Sequence, residues 1–107
     1  MRVMKFHRRE RIASLLQAQL NKLLLKEVEF NEAVVTIVDI KVSAKIEEAI
    51  IKIAVYPSHK GPDALQILHD CRGKLQFLLL RKMNIKPMPK LVFKLEIDKE
   101  KEVVVPD

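Results

Sequence analysis

Residues 63–83 read Asp-Ala-Leu-Gln-Ile-Leu-His-Asp-Cys-Arg-Gly-Lys-Leu-Gln-Phe-Leu-Leu-Leu-Arg-Lys-Met. Ala64, Leu65, Leu68, Cys71, Leu75, Leu78, Leu79 and Met83 recur at three- and four-residue spacing, so this stretch predicts a helix with one buried stripe. Gly73 falls near its middle, where glycine costs ~1 kcal/mol relative to alanine. The stretch is therefore predicted to kink or to split into two helices. Asn84 suits the helix end, and Pro87 and Pro89 exclude helix beyond it.

Outward from that stretch the elements alternate. On the N-terminal side Ser58-His59-Lys60-Gly61-Pro62 is the clearest loop. Before it, Glu48 to Tyr56 predicts a strand with Ala49, Ile51, Ile53 and Val55 on the core face. Ser43-Ala44-Lys45 is a turn, and Val34 to Val42 predicts the partner strand of a hairpin. There Val34, Thr36, Val38, Ile40 and Val42 are expected on one face, and Val35, Ile37, Asp39 and Lys41 on the other. A first helix is predicted from Arg8 to Leu25, with Ile12, Leu15, Leu16, Leu20, Leu23 and Leu24 as its stripe. On the C-terminal side Lys90 to Ile97 predicts a third strand, with Leu91, Phe93, Leu95 and Ile97 inward. The order is α-β-β-α-(kink)-α-β: an α+β fold with a three-stranded mixed sheet and helices on one face.

The 107 residues fit a single domain over 1–107, with a core at 8–97 and an acidic tail, 98–107, expected to fray. Such a chain buries roughly two-thirds of its unfolded surface. One cysteine, Cys71, excludes an internal disulfide and a multi-cysteine metal site, and a free thiol suits a reducing compartment. No stretch approaches the ~20 apolar residues of a membrane helix. The basic N-terminus is followed by no apolar signal core, so the expected location is the cytoplasm. His69 and Cys71 are two apart while His7 and His59 are distant, which makes no zinc pattern. There is no phosphate-binding glycine loop, nucleophile elbow or evident carboxylate pair, so neither catalysis nor a cofactor is expected.

The net charge is +6 and unevenly spread. Residues 1–26 carry seven positive and one negative side chain, and residues 60–94 carry eight and two. Residues 27–59 carry three and six, and residues 95–107 two and five. If the first and third segments are neighbours, they form one basic face, the footprint of a polyanion binder. Phe6, Phe30, Phe77, Phe93 and Tyr56 are the only aromatics. They are too few for an aromatic sheet platform, which favours backbone and shape recognition.

The element order resembles RNA-binding modules of the KH type, second topology, which clamp a nucleic-acid backbone with a Gly-x-x-Gly loop between two helices. Here that place reads Asp70-Cys71-Arg72-Gly73-Lys74. The departure is similar to the ribosome-binding factor A family, whose members carry an Ala-x-Gly kink. Cys71-Arg72-Gly73 would be that kink, with Cys71 at the alanine place. Arg8 and Arg11-Ile12-Ala13, Leu24 to Val28, Val42-Ser43, Ala49 to Ile53, Leu68 to Gly73, Leu78 to Met83 and Pro89 to Phe93 also resemble that family's segments in order. Glu29-Phe30-Asn31-Glu32 stands where the family usually has an Asp-Pro-Arg turn. The resemblance implies a non-enzymatic KH-like factor that binds the free or immature small ribosomal subunit through ribosomal RNA during late maturation. It also implies importance in the cold and, in some bacteria, release by a partner GTPase. A monomer is expected.

The candidate RNA contacts are Arg72, Gly73, Lys74, Arg81 and Lys82, then Lys86 and Lys90, with Arg8, Arg9 and Arg11 on the first helix. A glycine admits a close backbone approach. Arginine forks onto phosphate, and lysine supplies a compact charge. Each has a plainer alternative: Gly73 relieving crowding between helices, Arg81 and Lys82 solvating a helix end that favours cations, Arg8 and Arg9 forming a basic arm without fixed contacts. The competing function is a basic module that recruits an acidic protein.

Overall fold

The computed structural model describes residues 8–96. The frayed tail expected over 98–107 lies outside these, as do Ile97 and residues 1–7. In chain order the elements are α1 (Arg8–Glu27), β1 (Val34–Val42), β2 (Glu48–Tyr56), a 3₁₀ turn (Ser58–Lys60), α2 (Gly61–Asp70), α3 (Arg72–Met83) and β3 (Lys90–Leu95). The sheet order is β1-β2-β3, antiparallel between the first pair and parallel between the second. The α+β class and the mixed three-stranded sheet are as expected.

The core lies between one face of this sheet and the three helices. Ala49, Ile51 and Ile53 of β2 and Leu91 and Phe93 of β3 are buried as their alternation requires. They form one cluster with Ile12, Leu16, Leu20, Leu23 and Leu24 of α1, Leu68 of α2, and Leu75 and Leu79 of α3. Leu15 departs from the expected stripe and is 51% exposed. Helix α1 runs two residues past Leu25, to Glu27.

The strand β1 corrects the expected alternation. Ile37 faces Ile53 and Asp39 faces Lys52, so Val38 is an extra residue in a β-bulge. The bulge flips the phase of the strand. Ile37, Ile40 and Val42 share the buried face, while Val34 and Val38 are exposed. Every residue from Val34 to Val38 except Thr36 is β-branched and apolar, so either phase satisfies local preference. Burying Ile37 on the same face as Ile40 and Val42, in place of Val38, requires the bulged one.

The β1–β2 turn is closed by the Ser43 hydroxyl, which accepts from the amides of Glu47 (2.9 Å) and Glu48 (3.1 Å). It sets Ile46 at φ 58°, an unfavourable region for a β-branched side chain that costs about 1–2 kcal/mol. Ile46 is buried in the core cluster. Burying it contributes ~1.5–3 kcal/mol, enough to offset the strain.

Helix α2 begins at Gly61, two residues before the expected Asp63, because Pro62 fits the first helical turn. Gly61 is buried, and a Cβ there would lie 2.8 Å from Leu95 Cδ2, so the glycine lets α2 approach β3. Asn84 ends α3 in the left-handed conformation and donates its amide to Leu80 O at 3.0 Å.

Candidate nucleic-acid interface

The joint between α2 and α3 falls at Cys71, whose φ of −101° and ψ of 11° leave the helical region. The Cys71 amide donates to Ile67 O (3.1 Å), and the Leu75 amide donates to Cys71 O (3.0 Å). The half-buried Cys71 side chain packs against the core, with Sγ 3.8 Å from Leu68 O. Burial pushes its thiol pKa up, against smaller lowering contributions from the backbone and Lys74. This is a packed thiol, not an activated one.

Arg72 and Gly73 belong to the first turn of α3. Gly73 has no positive φ, and a Cβ built on it would meet nothing within 4 Å. Crowding between helices of this chain therefore does not account for the glycine. The space over this turn is open.

Helix α3 carries Arg72, Lys74, Arg81 and Lys82 and no Asp or Glu. Arg72 is half-buried. Lys74 Nζ pairs with Glu27 Oε1 at 3.2 Å, fastening the start of α3 to the end of α1. Arg81 and Lys82 occupy the last turn of α3, and both are exposed. The Arg81 guanidinium lies over the Phe77 ring, 5.7 Å from its centroid. Lys86 and Lys90 are exposed on the segment that leads into β3. Gln76 orients that segment: its Nε2 donates to Pro89 O (2.6 Å), and its Oε1 accepts from the Leu91 amide (3.1 Å).

Arg8, Arg9 and Arg11 are exposed at the start of α1 and are not brought to the joint. They precede Glu27 by 16 to 19 positions, about 24–28 Å along a helix at 1.5 Å per residue. Arg9 instead lines a cleft with Glu10, Asp39 and Lys41 beside the β1–β2 turn. Arg72 and Lys74 thus stand at the start of α3, Arg81 and Lys82 at its end, Lys86 and Lys90 on its exit, and Arg8, Arg9 and Arg11 at the end of α1 opposite Glu27.

Two features were not read from the sequence. One is the Lys74–Glu27 pair, which joins residues far apart in the chain. The other is Phe77, 56% exposed on the basic helix. Its signal was available, since Phe77 stands off the stripe of Leu75, Leu78, Leu79 and Met83. Among the described residues no group of three His, Cys, Asp or Glu is placed to hold a metal ion, and no helix is long and apolar enough to cross a membrane.

Residues 8–105 match the sequence profile described as ribosome-binding factor A. The chain belongs to the ribosome-binding factor A family. Ribosome-binding factor A of Chlorobium limicola is 35% identical over 89 residues, which span 80% of this chain and 75% of that protein. The crystal structure of ribosome-binding factor A from Thermus thermophilus superimposes with a TM-score of 0.67 at 16% identity, covering 81% of this chain and 94% of that one. A Thermus thermophilus ribosome-binding factor A fitted into the cryo-EM map of a 30S complex gives a TM-score of 0.59 at 23% identity, over 75% of this chain and 90% of that one. At these identities the structural likeness is one of fold. It establishes the KH-like α+β architecture of ribosome-binding factor A here, with helix–joint–helix in place of a Gly-x-x-Gly loop.

Proposed function

We propose that this chain binds the free or immature small ribosomal subunit through ribosomal RNA and assists its late maturation. The observation that carries this reading is α3: four cations and no anion on a helix that opens at an uncrowded glycine, in a chain of the ribosome-binding factor A family. Arg72, Arg81 and Lys82 are the phosphate contacts, with Lys86 and Lys90 extending the track and the open turn at Gly73 admitting the RNA backbone. Lys74 is divided between RNA and Glu27. Arg8, Arg9 and Arg11 form a second contact at a distance. Such contacts set position and orientation, and rRNA shape supplies specificity. The same reading has the protein acting as one domain and a monomer in the cytoplasm, without catalysis, and released by a ribosome-assembly GTPase.

Sedimentation with purified ribosomal subunits at low and moderate salt tests it. Co-migration with the small subunit, weakening steeply as salt rises through counterion release, is the expected result. Arg72→Glu, Arg81→Glu and Lys82→Glu together should abolish that co-migration while the fold survives. Lys74 is spared because a glutamate there would face Glu27. Binding to the small subunit that ignores both salt and charge reversal would defeat the RNA reading and favour a protein contact.

A further inference from the structure

The aromatic ring on the basic helix is not among the described side chains packed against the core. Phe77 is more than half exposed, on a face of α3 that it shares with Gly73 and Arg81, one turn before and one turn after. A side chain on a helix leans toward the N-terminus and covers the turn before its own Cα. Arg81 leans in this way over Phe77 and places its guanidinium 5.7 Å from the ring centroid. Gly73 and Lys74 occupy the turn that precedes Phe77. Gly73 offers no side chain, and a Cβ built on it would meet nothing within 4 Å among the described residues. Lys74 is drawn aside by its ion pair with Glu27. The ring therefore has a cation over it from the turn that follows, stays more than half exposed, and has a residue without a side chain in the turn that precedes it.

We propose that Phe77, between the guanidinium of Arg81 and the bare turn at Gly73, is a stacking site for one unpaired nucleobase of an RNA strand. The proposal rests on the RNA-binding reading above and adds a base contact to phosphate contacts. The charge of α3 selects the occupant: a helix with four cations and no carboxylate attracts a polyanion, and every nucleobase has a π face. Bases splayed from single-stranded loops stack on aromatic rings and on arginine planes, and α3 presents one of each in contact. A duplex, whose bases are already stacked, gains only the phosphate contacts.

The test is titration of the full chain with a short single-stranded RNA of mixed sequence and with the same sequence as a duplex, at several salt concentrations. Phe77→Leu keeps the side chain apolar and removes the ring. It is expected to weaken single-strand binding about five- to hundred-fold, the range of one lost base stack, without changing the slope of log affinity against log salt. Duplex binding should not change. Gly73→Leu, which puts a side chain in the turn that precedes the ring, should reproduce that loss. The chain has no tryptophan, so Phe77→Trp supplies a unique fluorophore. It should retain affinity and be quenched by the single strand. Thermal melting of each variant separates a binding defect from a folding defect, and the exposure of both positions favours intact folds.

If wild-type protein binds RNA with steep salt dependence but Phe77→Leu binds equally well and Phe77→Trp is not quenched, the stacking site is overturned and the RNA reading survives. If wild-type protein binds neither RNA nor the small subunit, the underlying reading fails. If Phe77→Leu loses the small subunit while keeping single-strand affinity, Phe77 meets a protein, and stacking is again overturned.

Discussion

Both glycines of the chain stand in the first turn of a helix, Gly61 in α2 and Gly73 in α3, and their surroundings differ completely. Gly61 is buried and faces Leu95, close enough that a Cβ would displace a methyl group. Gly73 is exposed, and a Cβ on it would meet nothing within 4 Å among the described residues. The first is small because the molecule has packed β3 against it. The second is small with no neighbour to require it, although a helical glycine lowers stability. On the proposed reading, a glycine that weakens a helix and meets nothing among the described residues serves whatever approaches that turn.

Substitutions at the two positions sharpen this contrast. Gly61→Val should have the largest effect, overpacking the contact between α2 and β3 at a cost of about 1–3 kcal/mol in chemical denaturation. Combining it with Leu95→Ala should restore part of the loss, because Leu95 is the atom group in the way. A loss unchanged by Leu95→Ala would refute the packing account of Gly61. Gly73→Ala should act in the opposite direction and raise stability by roughly 0.5–1 kcal/mol, since its Cβ enters open space on a regular helix. Small-subunit affinity should fall in the same variant. A variant both more stable and fully competent to bind would remove the functional reading of Gly73.

Smaller effects surround the joint. Lys74→Ala removes the pair with Glu27, whose side chains are 59% and 30% exposed, and should cost only a few tenths of a kcal/mol in low salt and less in high salt. The least effect concerns the Cys71 thiol, which burial raises above its ordinary range. The folded state holds the thiol proton more tightly than the unfolded state. Its contribution is therefore complete at neutral pH and is lost as pH rises from the ordinary thiol pKa toward the raised one. Thermal melting across that alkaline window should show a slight decline that Cys71→Ala abolishes.

The legibility of these features in the sequence followed the conflict between residue type and period. The break between α2 and α3 could be read because Gly73 contradicts a helical stripe, although the structure sets the break itself two residues earlier, at Cys71. The bulge at Val38 could not be read. Val34, Val35, Ile37, Val38 and Ile40 satisfy a strand in either phase, and only the pairing of Ile37 with Ile53 and of Ile40 with Ile51 decides which face is buried. In the candidate site, the cations of α3 were legible as an uninterrupted excess of one sign. The distance of Arg8, Arg9 and Arg11 from the joint was not. Charge counts along a chain do not record that a 20-residue helix separates its two ends by about 30 Å. Nor does a count of aromatics record that one of them faces outward.

Gln76 has a consequence beyond the orientation of Lys90. An edge strand offers unpaired amides and carbonyls on which another chain can build, the first step of runaway strand addition. Strand β3 is such an edge. The side-chain amide of Gln76 engages Pro89 O and the Leu91 amide just where β3 begins, and so acts as one rung of a fourth strand, of which there is none among the described residues. Its reach ends there, and nothing can be stacked on it. This single amide occupies the outward carbonyl and amide at the start of β3 and so denies a second copy a foothold there.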